Sequence, residues 1–206
     1  NNRRSITKVD QAGSTESTIM SSNESARDIA LDSQNSIIVG SSSGIRKYSN
    51  DGNNISSFIE NQDTLTVAVD TNDSIFVTQQ NDPNFGITVD KKLDANGNEL
   101  DKSRRVFRNA RTTAIDSNNS IWYSCDSIIY ESGESLIFGD TDNLADIRSF
   151  NRQDISIDSN SSIWLADDNQ DAAVQLDQSG NVIQSFTTSE SNIRSIDTLS
   201  SDSLLI

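Results

Sequence analysis

The stretches DSNNSIWYS (residues 116–124) and DSNSSIWLA (158–166) are almost the same nine residues, placed 42 positions apart. Each has an aspartate, a short Ser/Asn run and an apolar run that starts with Ile-Trp. Two further copies are IALDSQNSIIVG, from Ile29, and VAVDTNDSIFVT, from Val67, and a frayed copy, RSIDTLSSDSLLI, closes the chain from Arg194. Copies that recur roughly every 40 residues indicate a solenoid or a propeller.

Each copy is typical of a β-hairpin. A short alternating strand ends at an aspartate, two or three Ser, Asn or Asp residues turn the chain, and a second strand begins with Ile or an equivalent. Asp and Asn suit such a turn because they tolerate left-handed backbone and hydrogen-bond to nearby amides. The sequence places this anchoring aspartate at Asp32, Asp70, Asp116, Asp158 and, in the frayed copy, Asp197.

A second hairpin, which turns at a glycine, follows each of the first four. The four glycines are Gly52, Gly97, Gly133 and Gly180. Each unit then has four antiparallel strands, called a to d here, and four-stranded units at this period are propeller blades. The sequence therefore predicts an all-β propeller with blades at about 26–60, 63–108, 110–140 and 152–188.

AIDSNNSIWYS and SIDSNSSIWLADDNQDAAVQLDQSGNVIQSF resemble NHL-type repeats and the related streptogramin-lyase-like and gluconolactonase-like propellers. The resemblance covers nearly the whole chain and implies the propeller scaffold, which by itself does not define a function. One departure is that the glycine of the family's a–b turn is replaced by Asn35, Asp73, Asn119 and Ser161. Asn and Asp keep a left-handed turn at small cost, and Ser161 fits it least well.

The two chain ends complement each other. The first 22 residues match only a c–d hairpin, with Gly13 at its turn, and the last 14 match only an a–b hairpin. We expect residues 193–206 to pair with residues 5–22 in one composite blade, which would close a ring of five blades as a single domain, 1–206. The alternative is that the chain is a fragment of a larger ring.

Composition excludes several classes of function. The net charge of −15 disfavours nucleic acid and anionic membranes as partners, and no apolar run predicts membrane insertion. With no histidine, the chain has no Ser-His-Asp triad and no imidazole zinc site. Cys125 is the only cysteine, so no disulfide forms within the chain. The acidic surface suits salty or calcium-containing surroundings, and we predict an extracellular or cell-surface location.

The irregular loops are the expected binding regions, because they contrast with the short regular turns on the opposite edge of each blade. They comprise 79–86, 101–111, 139–154 and 167–172. One of them concentrates cations on an acidic protein, at Lys102, Arg104, Arg105, Arg108 and Arg111. We interpret these cations either as a docking patch for an acidic partner or as a solvated loop.

Acidic side chains near these loops raise the question of a metal. Asp126, Asp167, Asp168 and Asp171 could hold calcium together with backbone oxygens, or could form a solvated rim. Beyond this calcium prediction, the sequence identifies no metal ligand and no cofactor. The Asp-x-Asn/Asp turns lack the spacing of a calcium loop and are interpreted as turn chemistry.

Charged residues also begin the inner strands, at Arg27, Asp28, Arg111, Asp154 and Arg194. Their alternating signs favour ion pairs between neighbouring blades over a ligand site. Trp122 and Trp164 occupy equivalent strand-b positions and are predicted core residues. Asn23, Asn54, Asn72, Asn118 and Asn160 are Asn-x-Ser sequons, and all but the first lie at the regular turns, where they are candidate glycosylation sites.

The favoured function is a non-enzymatic binding or assembly scaffold that presents its loops to a protein or glycan partner. The alternative is a divalent-metal-dependent hydrolase or lyase of the gluconolactonase or streptogramin-lyase type. The lyase resemblance implies a catalytic histidine, which this chain lacks. The gluconolactonase resemblance implies a central metal held by Glu, Asn and Asp, whereas the inner-strand starts here mix aspartates with arginines. No catalytic residue is predicted.

Overall fold

A computed structural model describes most of the chain as strands and tight turns. The described residues are 4–9, 14–22, 25–82, 87–105, 112–124, 129–132, 152–167, 171–177, 181–187, 193, 195–198 and 204–205. None of them is helical, so within these ranges no helix could cross a membrane. The chain divides into two compact units, Asn1–Val106 and Phe107–Ile206.

The described residues of the first unit form ten strands in three antiparallel sheets. They are β1 (Arg4–Val9), β2 (Thr15–Ser22), β3 (Ala26–Leu31), β4 (Ile37–Ser41), β5 (Gly44–Tyr48), β6 (Asn54–Glu60), β7 (Thr64–Val69), β8 (Ile75–Asp82), β9 (Ile87–Leu93) and β10 (Glu99–Arg105). β1 and β2 form a hairpin, β3 to β6 a four-stranded sheet called blade 1, and β7 to β10 a four-stranded sheet called blade 2. Each blade is a meander in which sequence neighbours pair.

The second unit repeats this arrangement. Its strands are β11 (Thr112–Ile115), β12 (Ile121–Ser124), β13 (Ile129–Ser132), β14 (Arg152–Ile157), β15 (Ile163–Asp167), β16 (Ala172–Leu176), β17 (Val182–Thr187), β18 (Asp197–Thr198) and β19 (Leu204–Leu205). β11 to β13 form blade 3, β14 to β17 form the four-stranded blade 4, and β18 and β19 form a hairpin. The expected outer strand of blade 3 lies outside the described residues.

Alternating side chains build the core of the first unit. Ile38, Ile45 and Phe58 of blade 1 pack against Val67 and Leu93 of blade 2. Ile37 and Val39, which flank Ile38, point to the opposite face of blade 1, and with Tyr48 they pack against Ile19 of β2. Because strand residues alternate between faces, blade 1 has apolar neighbours on both sides.

The second unit has the same construction. Trp122 of blade 3 packs into a cluster with Ile155, Leu165 and Val174 of blade 4. On the opposite face of blade 4, Trp164 and Ala173 pack against Ile193 and Ile196. Both tryptophans are buried, with 1% of Trp122 and 6% of Trp164 exposed, which confirms their prediction as core residues.

The prediction of antiparallel, blade-like sheets is confirmed, and the composite blade and the single domain stay predictions. One position in the repeat was misjudged. Asp197 lies within β18 and pairs with Leu205, as Ala68 in β7 pairs with Phe76. Asp197 therefore does not occupy the place of Asp70, and its prediction as an anchoring aspartate is wrong.

Candidate functional site

The a–b turns form the regular edge of the blades, and one carboxylate oxygen fixes each of them. Oδ1 of the anchoring aspartate accepts hydrogen bonds from the backbone N–H groups two and four residues later. In blade 1 these run from Gln34 and Ser36 to Asp32, at 3.0 and 2.7 Å. The same pair of bonds recurs at Asp70, Asp116 and Asp158. Their prediction as turn residues is confirmed.

The third residue after each anchor adopts the left-handed conformation. The φ angles are 59° at Asn35, 61° at Asp73, 62° at Asn119 and 60° at Ser161. Non-glycine residues thus adopt the left-handed conformation at all four turns, even at Ser161. Its backbone N–H donates to the Asp158 carbonyl at 2.9 Å, as in the other three turns.

The second carboxylate oxygen of the anchor takes a different partner in each unit. In blade 1, Lys47 Nζ lies 2.8 Å from Asp32 Oδ2, and in blade 2, Lys92 Nζ lies 3.8 Å from Asp70 Oδ2. In blades 3 and 4 an indole replaces the lysine. Trp122 Nε1 donates to Asp116 Oδ2 at 3.3 Å and Trp164 Nε1 donates to Asp158 Oδ2 at 3.0 Å.

The Asp32 carboxylate is held in its ionised form. Burial alone would raise the pKa of Asp32, but the hydrogen bond and the charge of Lys47 lower it, together with the N–H groups of Ser36 and Gln34. The net result is a pKa below the ordinary value. At the c–d turn of blade 2, hydrogen bonds from Asn98 likewise lower the pKa of Asp94.

Neighbouring a–b turns are linked side by side. Ser33 of blade 1 donates its N–H and its hydroxyl to the Asp73 carboxylate of blade 2, at 2.8 and 2.6 Å. In the second unit, the Ser117 and Ser161 hydroxyls lie 2.7 Å apart. In both cases the residue directly after one anchor contacts the left-handed residue of the next turn. Within each unit, hydrogen bonds therefore connect the adjacent turns of the regular edge.

The four glycosylation candidates lie on exposed parts of this edge. Asn72, Asn118 and Asn160 each follow an anchor by two residues, and Asn54 begins β6. All four side chains are exposed, while the backbone N–H groups of the first three are bonded to the anchors. Glycosylation itself stays a prediction.

The inner-strand charges connect neighbouring blades, by an ion pair at Arg27 and by hydrogen bonds to the backbone at Asp28 and Asp154. Arg27 Nη2 lies 2.9 Å from Asp63 Oδ2, which precedes β7. Asp28 Oδ2 accepts the backbone N–H of Val67 at 2.8 Å. Asp154 Oδ2 accepts the N–H of Ile196 at 3.1 Å and the Ser195 hydroxyl at 2.9 Å. Arg111 and Arg194 lie outside the described residues.

Part of the cationic segment is described. β10 ends at Arg104 and Arg105, whose Cα partners in β9 are Val89 and Thr88. This end of β10 is opposite its glycine turn and therefore lies on the irregular edge. Lys102 is exposed. Arg108 lies outside the described residues, and the structure does not test whether these cations bind a partner.

The acidic candidates do not form a solvated rim throughout. Asp167 ends β15 with 0% of its surface exposed, so that interpretation is wrong for this residue. Asp171 is half-buried and has a φ of 48°. Asp126 and Asp168 lie outside the described residues. Within the described part of the chain, no three Asp, Glu or Cys side chains are grouped so that they could hold a metal ion.

Sequence reasoning missed Asp63, Lys47 and Lys92. Lys47 follows its anchor by 15 residues and Lys92 follows its own by 22, because the b–c loops differ in length. No constant spacing marks these pairs in the sequence. The strand-c register identifies them, because Lys47 pairs with Ile38 and Lys92 with Phe76, which are equivalent residues of strand b.

No family model and no curated protein matches the chain. Solved structures do match. A streptogramin B lyase has a TM-score of 0.69 at 14% identity, over 94% of this chain and 66% of the lyase chain. The fold is a β-propeller. A protein of unknown function from Bacteroides caccae has a TM-score of 0.67 at 12% identity, over 90% of this chain and 70% of its own.

The virginiamycin B lyase of Staphylococcus aureus also shares the propeller fold. Its TM-score is 0.60 at 11% identity, over 87% of this chain and 61% of the lyase chain. The chain thus spans about two thirds of the length of the propellers it matches. At such identities the likeness shows the fold alone.

Proposed function

We propose that this propeller is a non-enzymatic binding scaffold that presents its irregular edge to an acidic protein or glycan outside the cell. The observation that carries the proposal is how the aspartates of the inner strands are used. Asp28 and Asp154 bind backbone N–H groups of the next strand a, at 2.8 and 3.1 Å. Carboxylates engaged in joining blades are not available to build a metal cage or an acid–base pair.

The charge distribution supports an acidic partner. The chain has a net charge of −15, yet five cations fall within ten residues at 102–111. Complementary charge at a local patch guides association and restricts the choice of partner more than it adds affinity. The irregular edge would therefore supply both the loops and the charge for docking.

The regular edge is suited to a structural role. Its turns are fixed by paired hydrogen bonds to each anchor and by links between neighbouring turns. If the protein is secreted by a cell that attaches N-linked glycans, sugars at Asn54, Asn72, Asn118 and Asn160 would cover this edge. Binding would then be confined to the other one.

The binding experiment uses two acidic probes and one neutral probe: poly-L-glutamate, heparin oligosaccharides and dextran. We expect the full chain to bind an acidic probe, and not dextran, at an ionic strength of about 0.15 M. Arg104→Glu/Arg105→Glu should weaken that binding by about tenfold or more, since the segment then repels an acidic probe. No binding to either acidic probe would reject the proposal.

The control for this experiment changes the net charge equally on the other edge. Asn54→Asp, Asn72→Asp, Asn118→Asp and Asn160→Asp together add as much negative charge as the two arginine reversals. We expect this fourfold variant to keep the affinity within about twofold, because exposed charges beyond a Debye length of about 8 Å are screened. Equal losses in both variants would show that net charge alone decides binding.

A thermal-shift measurement separates the scaffold from the metal-dependent enzyme. A metal that binds only the folded protein raises its stability with concentration. We expect the same Tm in calcium and in EDTA. A Tm that rises with calcium concentration would favour the hydrolase or lyase alternative and would require a metal site among the acidic loops.

A further inference from the structure

Strands β9 and β10 place two lysines side by side in blade 2. Lys102 and Lys91 are Cα partners, so their Cβ atoms lie about 4.5–5.5 Å apart. Like charges in directly opposite positions destabilise a sheet. The equivalent partners in the other four-stranded blades are Arg46 with Ser57 and Val174 with Ser185, neither of which brings two cations together.

A bulge in β10 brings Glu99 to the same face as Lys102. The register shifts between Glu99 and Asp101, so Leu100 is an extra residue and the alternation of faces changes there. Glu99 and Lys102 therefore share a face although they are three residues apart in the sequence. The contact with Lys91 agrees with this, because Lys91 Nζ lies 3.3 Å from Glu99 Oε2.

The face that carries the two lysines is the one that packs against blade 1. Val77 of strand b is the Cα partner of Lys91 and belongs to the apolar cluster between blades 1 and 2. Lys91 lies beside this cluster, and only 11% of its side chain is exposed. Covering an ammonium in apolar surroundings is unfavourable unless acceptors satisfy it. Lys91 therefore needs more acceptors than its neighbours on strand b can offer.

The counter-charge for the two lysines is a single carboxylate. Each of the other three lysines has a carboxylate of its own, in the pairs Lys8 with Glu16, Lys47 with Asp32 and Lys92 with Asp70. Lys91 has Glu99, whose side chain is 46% exposed. Lys102 is exposed, and as far as the structure describes the chain its ammonium has no carboxylate partner. Cationic donors are thus left over at this position.

We propose that Lys91 and Lys102 together bind the carboxylate of a glutamate in an acidic segment of a protein partner. This binding mode rests on the proposed function, because Lys102 begins the cationic segment at 102–111. A carboxylate has two oxygens and so accepts from both ammonium groups at once. Bound there, it turns a repulsion between neighbouring strands into two charge-assisted contacts.

The cover over Lys91 favours a glutamate over a sulfated sugar. Because most of the Lys91 side chain is buried, the incoming group must be narrow. Glu99 shows that a carboxylate at the end of a flexible stem reaches Lys91 Nζ. A sulfate group is held directly on a bulky sugar ring, which would have to come close to the covered lysine. A glutamate side chain keeps its backbone further away.

Protection of the sheet edge is the rival explanation. A lysine on an outer strand discourages pairing with other chains, and β10 is the outer strand of blade 2. This accounts for Lys102 but not for Lys91, which belongs to β9, inside the sheet, and is mostly covered. A charge at an inner, covered position does not protect an edge.

The first test measures the binding of poly-L-glutamate to the full chain at an ionic strength of about 0.15 M. Lys102→Gln should weaken this binding by about threefold or more, while Lys8→Gln, which removes the same charge from β1, should change it by less than about 1.5-fold. Lys102 is exposed, so its substitution leaves the core intact. Equal losses in the two variants would overturn the proposal.

The second test removes the competing carboxylate. Glu99→Gln should strengthen the binding of poly-L-glutamate by about threefold, because Lys91 then lacks its own partner. Glu16→Gln is the matched control, since it frees Lys8, which lies opposite Ser17 rather than another cation, and it should change the affinity by less than about 1.5-fold. In a Lys91→Met background the gain from Glu99→Gln should vanish. A gain that persists there overturns the assignment of Lys91.

Binding of the two acidic probes separates this inference from the proposed function. If Arg104→Glu/Arg105→Glu weakens poly-L-glutamate binding and Lys102→Gln does not, the scaffold function stands and the lysine pair is not its carboxylate site. If heparin oligosaccharides bind and poly-L-glutamate does not, the partner is a glycan and the proposal is rejected. If neither probe binds, both the proposal and the proposed function are rejected. A loss in Lys102→Gln, together with a gain in Glu99→Gln that requires Lys91, supports the carboxylate site.

Discussion

The ammonium of Lys47 lies 2.8 Å from Asp32 Oδ2, while the other oxygen of the same carboxylate fixes the a–b turn of blade 1. One buried side chain thus joins strand c to the turn between strands a and b. The role is conserved across the blades of this chain, although the partner changes from lysine to tryptophan. This anchor leads to a prediction about acid stability.

Asp32→Asn should lower the free energy of unfolding by about 1–3 kcal/mol near neutral pH, because Lys47 is then left beside an uncharged amide. The pKa of Asp32 is lower in the folded protein than its ordinary value of 3.8. Its contribution is therefore present above that value and is lost as the pH falls through the folded-state pKa. Urea unfolding from neutral pH to below pH 3.8 should show the difference between parent and variant shrinking.

Asp51→Asn is the matched control, since Asp51 is exposed at the c–d turn of the same blade. It should change stability by less than about 0.5 kcal/mol at any pH. A difference between Asp32→Asn and the parent that stayed constant into acid would contradict the ionised anchor.

The partner of the anchor should be exchangeable between blades. Trp164→Phe removes the indole donor to Asp158 and should cost about 1–3 kcal/mol, including the lost packing. Blade 2 combines Phe76 with Lys92, and Gln175 holds the place of Lys92 in blade 4. Trp164→Phe/Gln175→Lys should therefore recover part of that loss.

The control for this exchange is Gln175→Lys alone. With the indole still donating to Asp158 Oδ2, the new lysine replaces no missing partner of that oxygen. Gln175→Lys alone should therefore not raise the free energy of unfolding. Chemical denaturation of the four proteins gives the coupling free energy directly. If Gln175→Lys changed the free energy of unfolding equally in the parent and in Trp164→Phe, the indole and the lysine would not bind the same carboxylate oxygen of Asp158.

The turn glycines differ in how much room they have. Gly97 has a φ of 85°, and a Cβ there would overlap the Phe58 ring. Gly52 has almost the same φ, 83°, but its nearest atom would be 3.2 Å away. Gly97→Ala should lower the free energy of unfolding by about 2–4 kcal/mol, from the left-handed backbone and overpacking together.

Gly52→Ala carries mainly the backbone penalty and should cost about 1–2 kcal/mol. Phe58→Ala/Gly97→Ala should show less than the sum of its two single effects, because the clash is gone. If both alanine variants were equally unstable, the ring of Phe58 would not be what makes the Gly97 turn tight.

Periodicity predicted the blades because the residues that fix each turn lie close together in the sequence. Asp32 and Asn35 act within five residues, so their roles could be inferred from the sequence. The pairing of Lys47 with Asp32 depends on strand register across a loop of variable length, so it could not be inferred from the sequence. The frayed copy misled the alignment because Asp197 looks like an anchor, although its register with Leu205 places it inside the strand.

The candidate binding edge was predictable only as a region. Asp167 belongs to an acidic stretch in the sequence, and nothing in that stretch shows that Asp167 itself is buried at the end of β15. Burial depends on the neighbouring strand and the next hairpin, which are distant in sequence. Asp28 and Asp154 similarly find their partners about 40 residues away, at Val67 and Ile196.

The regular edge should accept glycans without loss of stability. Asn118 has an exposed side chain and uses only its backbone N–H to bind Asp116, whereas the next residue, Asn119, has a φ of 62°. Asn118→Gln should change the free energy of unfolding by less than about 0.5 kcal/mol, and Asn119→Gln should cost about 1 kcal/mol from the left-handed backbone.

Glycosylation of the same edge is tested by secreting the protein from a cell that attaches N-linked glycans and measuring its mass. We expect occupied glycans at Asn72, Asn118 and Asn160, because all three side chains are exposed in equivalent turns. Asn118→Gln should remove one glycan and leave binding to the acidic probe unchanged. If removing the glycans instead restored or abolished binding, the regular turns would belong to the contact surface, and the assignment of the two edges would be wrong.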